Sequence, residues 1–180
     1  MFLPADLIFT RNEKSWIGPA IRWFTRSRGE APTWTNHTAG VGLKGDTVIE
    51  AMWTVNEVGW KQWDAENDRY QVWRHTRLTD IERRIIAVEA RLYVGRQYGW
   101  WKLFPHLLDG MLSKVIGGNV YLTRRLLFLP DYPICSWVWA YAYGKIGFRF
   151  GCSPDCADPD TQLDFIQNNH HWKKVFEKGE

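Results

Sequence analysis

Cysteine is scarce in this chain: three in 180 residues, at Cys135, Cys152 and Cys156. An odd number cannot all pair with one another, which argues against a disulfide framework and fits a reducing compartment. Long apolar runs are missing as well, since no uncharged stretch approaches the roughly 18 residues a membrane-spanning helix needs. The N-terminal MFLPADLIFTRNEK lacks a basic start, a long apolar stretch and a small-residue cleavage site. No secretory signal is therefore expected, and the cytoplasm, or a phage particle assembled there, is the expected location. Charge of one sign is also lacking: 23 Lys and Arg against 20 Asp and Glu leave +3. The basic residues are scattered rather than gathered in a stripe, so nucleic acid is not an expected partner. Neither internal repeats nor a Gly/Pro-rich linker divide the chain, and its length suits one domain spanning residues 1–180.

What the chain has in surplus is tryptophan, 12 residues of it. Aromatic side chains of that size usually fill cores, although a surplus can also line a cleft or a lipid-facing patch. Elsewhere the composition is that of a globular domain, with 45% apolar and 24% charged residues and a mean hydropathy of −0.39.

Short β-rich runs come first. Residues 6–10 (DLIFT), 38–43 (TAGVGL) and 47–51 (TVIEA) predict strands, the last two joined as an antiparallel pair through Lys44-Gly45-Asp46. Residues 59–63 (GWKQW) and 70–74 (YQVWR) predict two more around the polar patch at 64–68, for about five strands. Thr79-Asp80-Ile81-Glu82 fits a capping box, and Ile81, Ile85, Val88 and Leu92 follow at helical spacing, predicting a helix over about 80–94 that stops near Gly95. Residues 100–129, with Pro105, Gly110, Gly117 and Gly118, read as an irregular insert with short helical pieces. A second helix is predicted from close to Cys135 to near Gly144, then a loop over 151–160 and a short amphipathic piece around Leu163, Phe165 and Ile166.

In PDYPICSWVWAYAYG, Cys135 follows two prolines and begins a helical run. Unpaired amides and the helix dipole at such a start stabilise a thiolate, whereas the apolar run behind it suits a buried thiol. His37, at the mouth of TAGVGL, is a candidate base, and Glu50, on the returning strand, a candidate to hold its imidazole. A two-residue turn at Gly45-Asp46 would pair Glu50 with Val41, four residues along from His37 and roughly 13 Å away at the usual strand rise. Curvature at Gly40 or Gly42 would then have to close the gap. Cys152-x-x-x-Cys156 with His170 and His171 downstream offers zinc-type donors without a second cysteine pair, so no metal or cofactor is expected.

The order ADLIFT, NHTAGVGL, TVIEA, AVEARLYVGRQYGW and PICSWVWAYAYGKIG resembles the circularly permuted branch of the NlpC-type papain-like hydrolases, the YiiX-like group, over roughly residues 4–150. There the histidine strand precedes the cysteine helix, as His37 precedes Cys135. The resemblance implies an α+β fold in which an antiparallel sheet packs on the helix carrying the nucleophile. It further implies a cysteine hydrolase (amidase or peptidase) with Cys135 as nucleophile, His37 as base and Glu50 as third residue. Tyr98, Ser136 and Trp137 would contact a peptide or acyl substrate, with cell-wall-type peptides as the implied class. Trp137 departs from the small or acidic residue common at that position. Two alternatives remain open: a lipid-directed acyltransferase or thioesterase, as in the related lecithin retinol acyltransferase, and a non-catalytic phage structural or interaction protein. For the first, the insert at 100–129 and its Leu122–Phe128 stretch would make peripheral contact with membrane lipid.

Overall fold

Strands whose successive side chains point to opposite faces need apolar cover on both sides. This chain supplies helices for each. In a computed structural model, which describes residues 2–11, 34–97, 108, 112 and 134–179, β1 (Leu7–Thr10), β2 (His37–Val41), β3 (Thr47–Ala51), β4 (Val55–Gly59), β5 (Tyr70–His75) and β6 (Trp172–Lys178) form one sheet in the order β4-β3-β2-β1-β5-β6. Every neighbouring pair is antiparallel. Four helices accompany it among the described residues: α1 (Trp60–Glu66), α2 (Asp80–Arg91), α3 (Cys135–Gly144) and α4 (Pro159–Gln167). The architecture is α+β.

Parity sorts the strand residues. Leu7, Phe9, Ile49 and Ala51 share a buried cluster with Ile86 and Ala90 of α2, Trp139 and Tyr143 of α3, and Leu163 and Ile166 of α4. Ile8, Ala39, Val41, Val48, Tyr70 and Val72 turn the other way, onto Trp63 of α1. Trp63, Trp137, Trp139 and Trp172 are all buried, so much of the tryptophan surplus is core.

The helix α2 begins as its sequence predicts. Thr79 accepts from the Glu82 N–H and the Glu82 carboxylate accepts from the Thr79 N–H, a complete capping box. Its inward face, however, is Arg83, Ile86, Ala87 and Ala90, while the apolar residues at helical spacing lie outside. Arg83 is buried because Asp6 is: the Arg83 Nη1 lies 3.3 Å from Asp6 Oδ1, and Arg74 Nη2 lies 2.6 Å from Asp6 Oδ2. Arg83 also donates to the carbonyl oxygens of His75 and Pro4.

Three expectations need correcting or cannot be placed. The run at 59–63 is not a strand: Gly59 closes β4 and Trp60 opens α1. Trp60 and Trp63, three apart, share one face of a helical turn, with ring centroids 5.6 Å apart, and Trp63 stacks edge-on with Tyr70 at 5.0 Å. Five strands still precede residue 76, because Val55–Gly59 takes that place, and Trp172–Lys178 makes the sheet six-stranded rather than five. The amphipathic piece around Leu163 is α4, but the strand β6 after it was not anticipated; its exposed Lys173 and Lys174 hide the period-two signal of an edge strand. The insert at 100–129 lies outside the described residues, apart from positions 108 and 112.

The helix α3 runs along β2. Trp139 lies against Gly40, where an added Cβ would stand 2.5 Å from the indole ring, and its Nε1 donates to the Ile49 carbonyl at 3.2 Å. One turn on, Tyr143 donates to the Ala5 carbonyl at 2.6 Å, and Ala5 in turn donates from its N–H to the Val41 carbonyl. Gly40→Ala should lower the unfolding free energy by about 1–3 kcal/mol through overpacking, measured by urea titration. An unchanged midpoint would mean that the indole can step aside at no cost.

Candidate active site

The hairpin that carries His37 and Glu50 is longer in its loop than two residues. The Gly42 N–H donates to the Thr47 carbonyl and the Gly45 N–H to the Gly42 carbonyl, closing a loop over 43–46 in which Gly45 takes φ 78. Glu50 therefore pairs with Ala39 rather than Val41. That slip of two residues keeps Glu50 on the face expected and brings it to the diagonal position next to His37, a separation that long side chains span. Neither curvature nor a bulge is required. The result is a contact of 3.0 Å between His37 Nε2 and Glu50 Oε2.

His37 is held at the mouth of β2 from its backbone outward. Thr10 and His37 are register partners in β1 and β2, and the Asn36 N–H donates to the Thr10 carbonyl. The buried Thr35 hydroxyl lies 3.0 Å from the Thr10 carbonyl oxygen and 3.1 Å from that of His37. Cys135 meets it from the other side as the first residue of α3, capped by Ile134 without a side-chain hydrogen bond. With Nε2 taken by Glu50, Nδ1 is the imidazole nitrogen left to engage the Cys135 sulfur.

These three groups set one another's protonation. Burial opposes charge on His37, but the charge and hydrogen bond of the Cys135 thiolate, followed by those of Glu50, push its pKa up to about 10. Burial likewise opposes a thiolate at Cys135, and the His37 imidazolium overcomes it, helped by the backbone N–H groups of Thr38 and Ser136, so the thiol titrates below its usual range. Burial works against the Glu50 carboxylate too, and its hydrogen bond and attraction to His37 hold its pKa below the usual value. The indole of Trp63 adds to that effect from beside the carboxylate, although no hydrogen bond of ordinary geometry closes to its Nε1. A thiolate–imidazolium pair backed by a carboxylate is the arrangement in which a sulfur attacks carbonyl carbon and a neighbouring ring carries the proton.

The remaining candidates fare differently. Ser136 is fully buried and Trp137 nearly so, the indole packing against Tyr141 with centroids 6.1 Å apart. Their burial does not fit the expected contact with substrate; a residue one or two places past a helix start turns into the core once the helix lies on a sheet. Tyr98 lies outside the described residues. None of the three cysteines forms a disulfide, and among the described residues no group of three His, Cys, Asp or Glu side chains is placed to hold a metal ion. Two supporting residues had no sequence signal. Trp63 reaches Glu50 only because α1 folds under the sheet. Gln162, buried on α4, donates from Nε2 to the Ser136 carbonyl at 2.8 Å and pins the first turn of α3 from 26 residues away.

No family model matches the chain, and no curated protein matches it. Among solved structures it is similar to the metalloprotein YiiX from Escherichia coli O157:H7, with 17% identity, a TM-score of 0.67 and coverage of 99% of both chains. At that identity the likeness is one of fold.

The pair should exist between the lowered pKa of Cys135 and the raised pKa of His37. Above about pH 10 the imidazolium loses its proton, and below the thiol's lowered pKa the sulfur gains one. Iodoacetamide should therefore alkylate Cys135 at neutral pH faster than Cys152, read by mass spectrometry. In His37→Ala the midpoint should move above the ordinary thiol value of 9.0, because burial then acts unopposed by the imidazolium. Equal rates for the two cysteines in both proteins would show that the ring does not activate the sulfur.

Proposed function

We propose that the chain is a cysteine hydrolase of the permuted papain-like, NlpC-type plan, cleaving an amide bond through a thioacyl-enzyme. The observation that carries this reading is the unbroken chain Glu50–His37–Cys135, with the thiol at a helix start. The order of the chain supports it as well: the histidine strand precedes the cysteine helix, as the permuted branch requires.

Chemistry follows from the protonation states. The Cys135 thiolate adds to the carbonyl carbon, forming a C–S bond while the C=O electron pair moves onto oxygen. The backbone N–H of Cys135, the first residue of α3, would donate to the developing oxyanion. His37 gives its Nδ1 proton to the departing amine as the C–N bond breaks. A water then enters, His37 takes its proton, and the hydroxide adds to the thioester carbonyl. Collapse breaks the C–S bond, releases the carboxylic acid and restores the thiolate–imidazolium pair. Glu50 keeps Nε2–H pointed at itself, so Nδ1 always faces sulfur. Cell-wall-type peptides are the substrate class implied by the resemblance. The similar YiiX structure is described as a metalloprotein, but the described residues of this chain do not form a metal-ligand group, and no step here runs through a metal.

Incubation with peptidoglycan-derived peptides, read by mass spectrometry, tests the reading. Cys135→Ala should abolish cleavage, and His37→Ala should lower kcat/KM by on the order of 10²–10⁴-fold. Glu50→Gln keeps a hydrogen-bond acceptor without its charge, and should cost less than His37→Ala while moving the alkaline limb of the pH profile below pH 10. Cleavage that survives Cys135→Ala would sink the assignment.

A further inference from the structure

One tryptophan departs from the other described ones. Trp63, Trp137, Trp139 and Trp172 are buried and Trp34, Trp60 and Trp73 are half-buried, whereas Trp53 is 72% exposed. Met52 beside it is 43% exposed. An indole turned into water adds nothing to the core, and its large rigid apolar face is suited to a contact instead.

The register of the sheet says where this pair lies. Strands β2 and β3 pair as Val41↔Val48, Gly40↔Ile49 and Ala39↔Glu50, and the same count carried two places further sets Met52 across from His37. Trp53 is then the tip of the turn between β3 and β4, one step beyond. Adjacent strands lie about 4.8 Å apart. The turn is braced on both sides: the Met52 N–H donates to the Thr54 carbonyl at 3.1 Å, Thr54 bridges to Gln97, and the Val55 N–H donates to the Arg96 carbonyl at 2.9 Å. Trp53 is therefore held on a fixed tip at the end of the sheet where β2 begins with His37.

The chemistry of the site decides which half of a substrate meets that tip. With sulfur on the carbonyl carbon and the oxyanion turned to the start of α3, the amine nitrogen has to face the His37 ring that protonates it. That ring bridges from Cys135 to Glu50, which is from α3 towards β3. The amine half accordingly runs on towards β3. The acyl half stays on the side of α3, where Trp34 packs against the cluster that includes Cys135. One extended residue spans about 3.5 Å, so the first side chain beyond the scissile nitrogen comes within reach of Met52 and Trp53. The cation on the bracing segment, Arg96, has its guanidinium over the Tyr93 ring at 5.0 Å. Apolar surface is thus what the tip offers.

We propose that Met52 and Trp53 form the subsite for the amine half of the substrate and select a large apolar, above all aromatic, residue directly after the scissile amide. The inference rests on the thiol-site reading and specifies the substrate of that site. It also has a reverse sense. An amine bound in the subsite attacks the thioester: its nitrogen bonds to the carbonyl carbon, the C–S bond breaks with its electron pair on sulfur, and His37 takes the surplus proton. The thiolate–imidazolium pair is restored, and the amide formed carries the amine that the subsite prefers.

Acetylation of Cys135 in the full chain with p-nitrophenyl acetate, in the presence of equal phenylalaninamide and glycinamide, tests it, because the acetyl group is common and only the amine differs. The wild type should form N-acetylphenylalaninamide over N-acetylglycinamide by on the order of tenfold, read by mass spectrometry. Trp53→Ala should bring that ratio down to the value the two amines give with the ester in buffer. Trp53→Phe should keep most of the preference, and Met52→Ser should lose part of it. A wild-type ratio equal to the buffer value overturns the subsite, as does a preference for lysinamide over phenylalaninamide or full discrimination by Trp53→Ala. In each of those cases a nitrophenolate burst that disappears in Cys135→Ala leaves the thiol-site reading standing. Absence of the burst in the wild type removes that reading and the subsite with it.

Discussion

The seating of Trp139 on Gly40 is the contact from which the rest of the arrangement follows. The helix residues 135, 139 and 143 recur every four positions, so they share one face, about 6 Å apart along the axis. Trp139 meets Gly40, and Tyr143 reaches Ala5, itself bonded to Val41. With those two points anchored, the remaining member of the row, Cys135, falls at the beginning of β2, beside His37 and the Thr38 N–H. A side chain at position 40 would lift the helix from the strand and take the sulfur away from the ring.

Two buried charged chains lie on either side of this seat, and they answer the same constraint in different ways. Asp6 is fully buried and is met by two guanidinium groups, Arg74 and Arg83, and Arg83 also donates to the carbonyls of His75 and Pro4. The buried carboxylate thus has two cationic partners, which is what makes its burial tolerable, and removing Asp6 would strand the buried Arg83. Cys135 is buried, with His37 and Glu50 largely so, and the three are also paired, but one of the groups is a thiol whose charge is favoured chiefly by the imidazolium next to it. The first chain locks α2 and β5 to the N-terminal segment. The second favours a thiolate at Cys135 that water alone would not hold at neutral pH.

The helix α2 shows how one element can serve two surfaces. Small residues, Ala87 and Ala90, let it lie close to α3, and Ile86 fills the space between. Arg83 is drawn inward by Asp6, which uses up a core-facing position that an aliphatic residue would otherwise take. The larger aliphatics, Ile81, Ile85, Val88 and Leu92, are then left on the outside, where they do not contribute to the core. Periodicity alone marks both faces as apolar and cannot rank them.

Local chemistry was legible wherever it needed no distant partner. The capping box at Thr79 and Glu82, the strands β1, β3 and β5, the helix beginning at Cys135, and the candidacy of Cys135, His37 and Glu50 all follow from neighbours in the chain. Tertiary structure decided the rest. A loop two residues longer than the tightest turn set the register that joins Glu50 to His37, because cross-strand hydrogen bonds, not turn propensity, choose the pairing. Burial of Trp63 under the sheet, with Trp60 packed beside it, made a helix of a segment that also suits a strand. Docking of α3 turned Ser136 and Trp137 into the core and brought Gln162 onto the helical turn that begins at Cys135. Sequence by itself determined which groups can carry charge and which segments can form regular structure. Only packing decided which of those charges are removed from water, and it is removal from water, beside the right partner, that turns a cysteine into a thiolate.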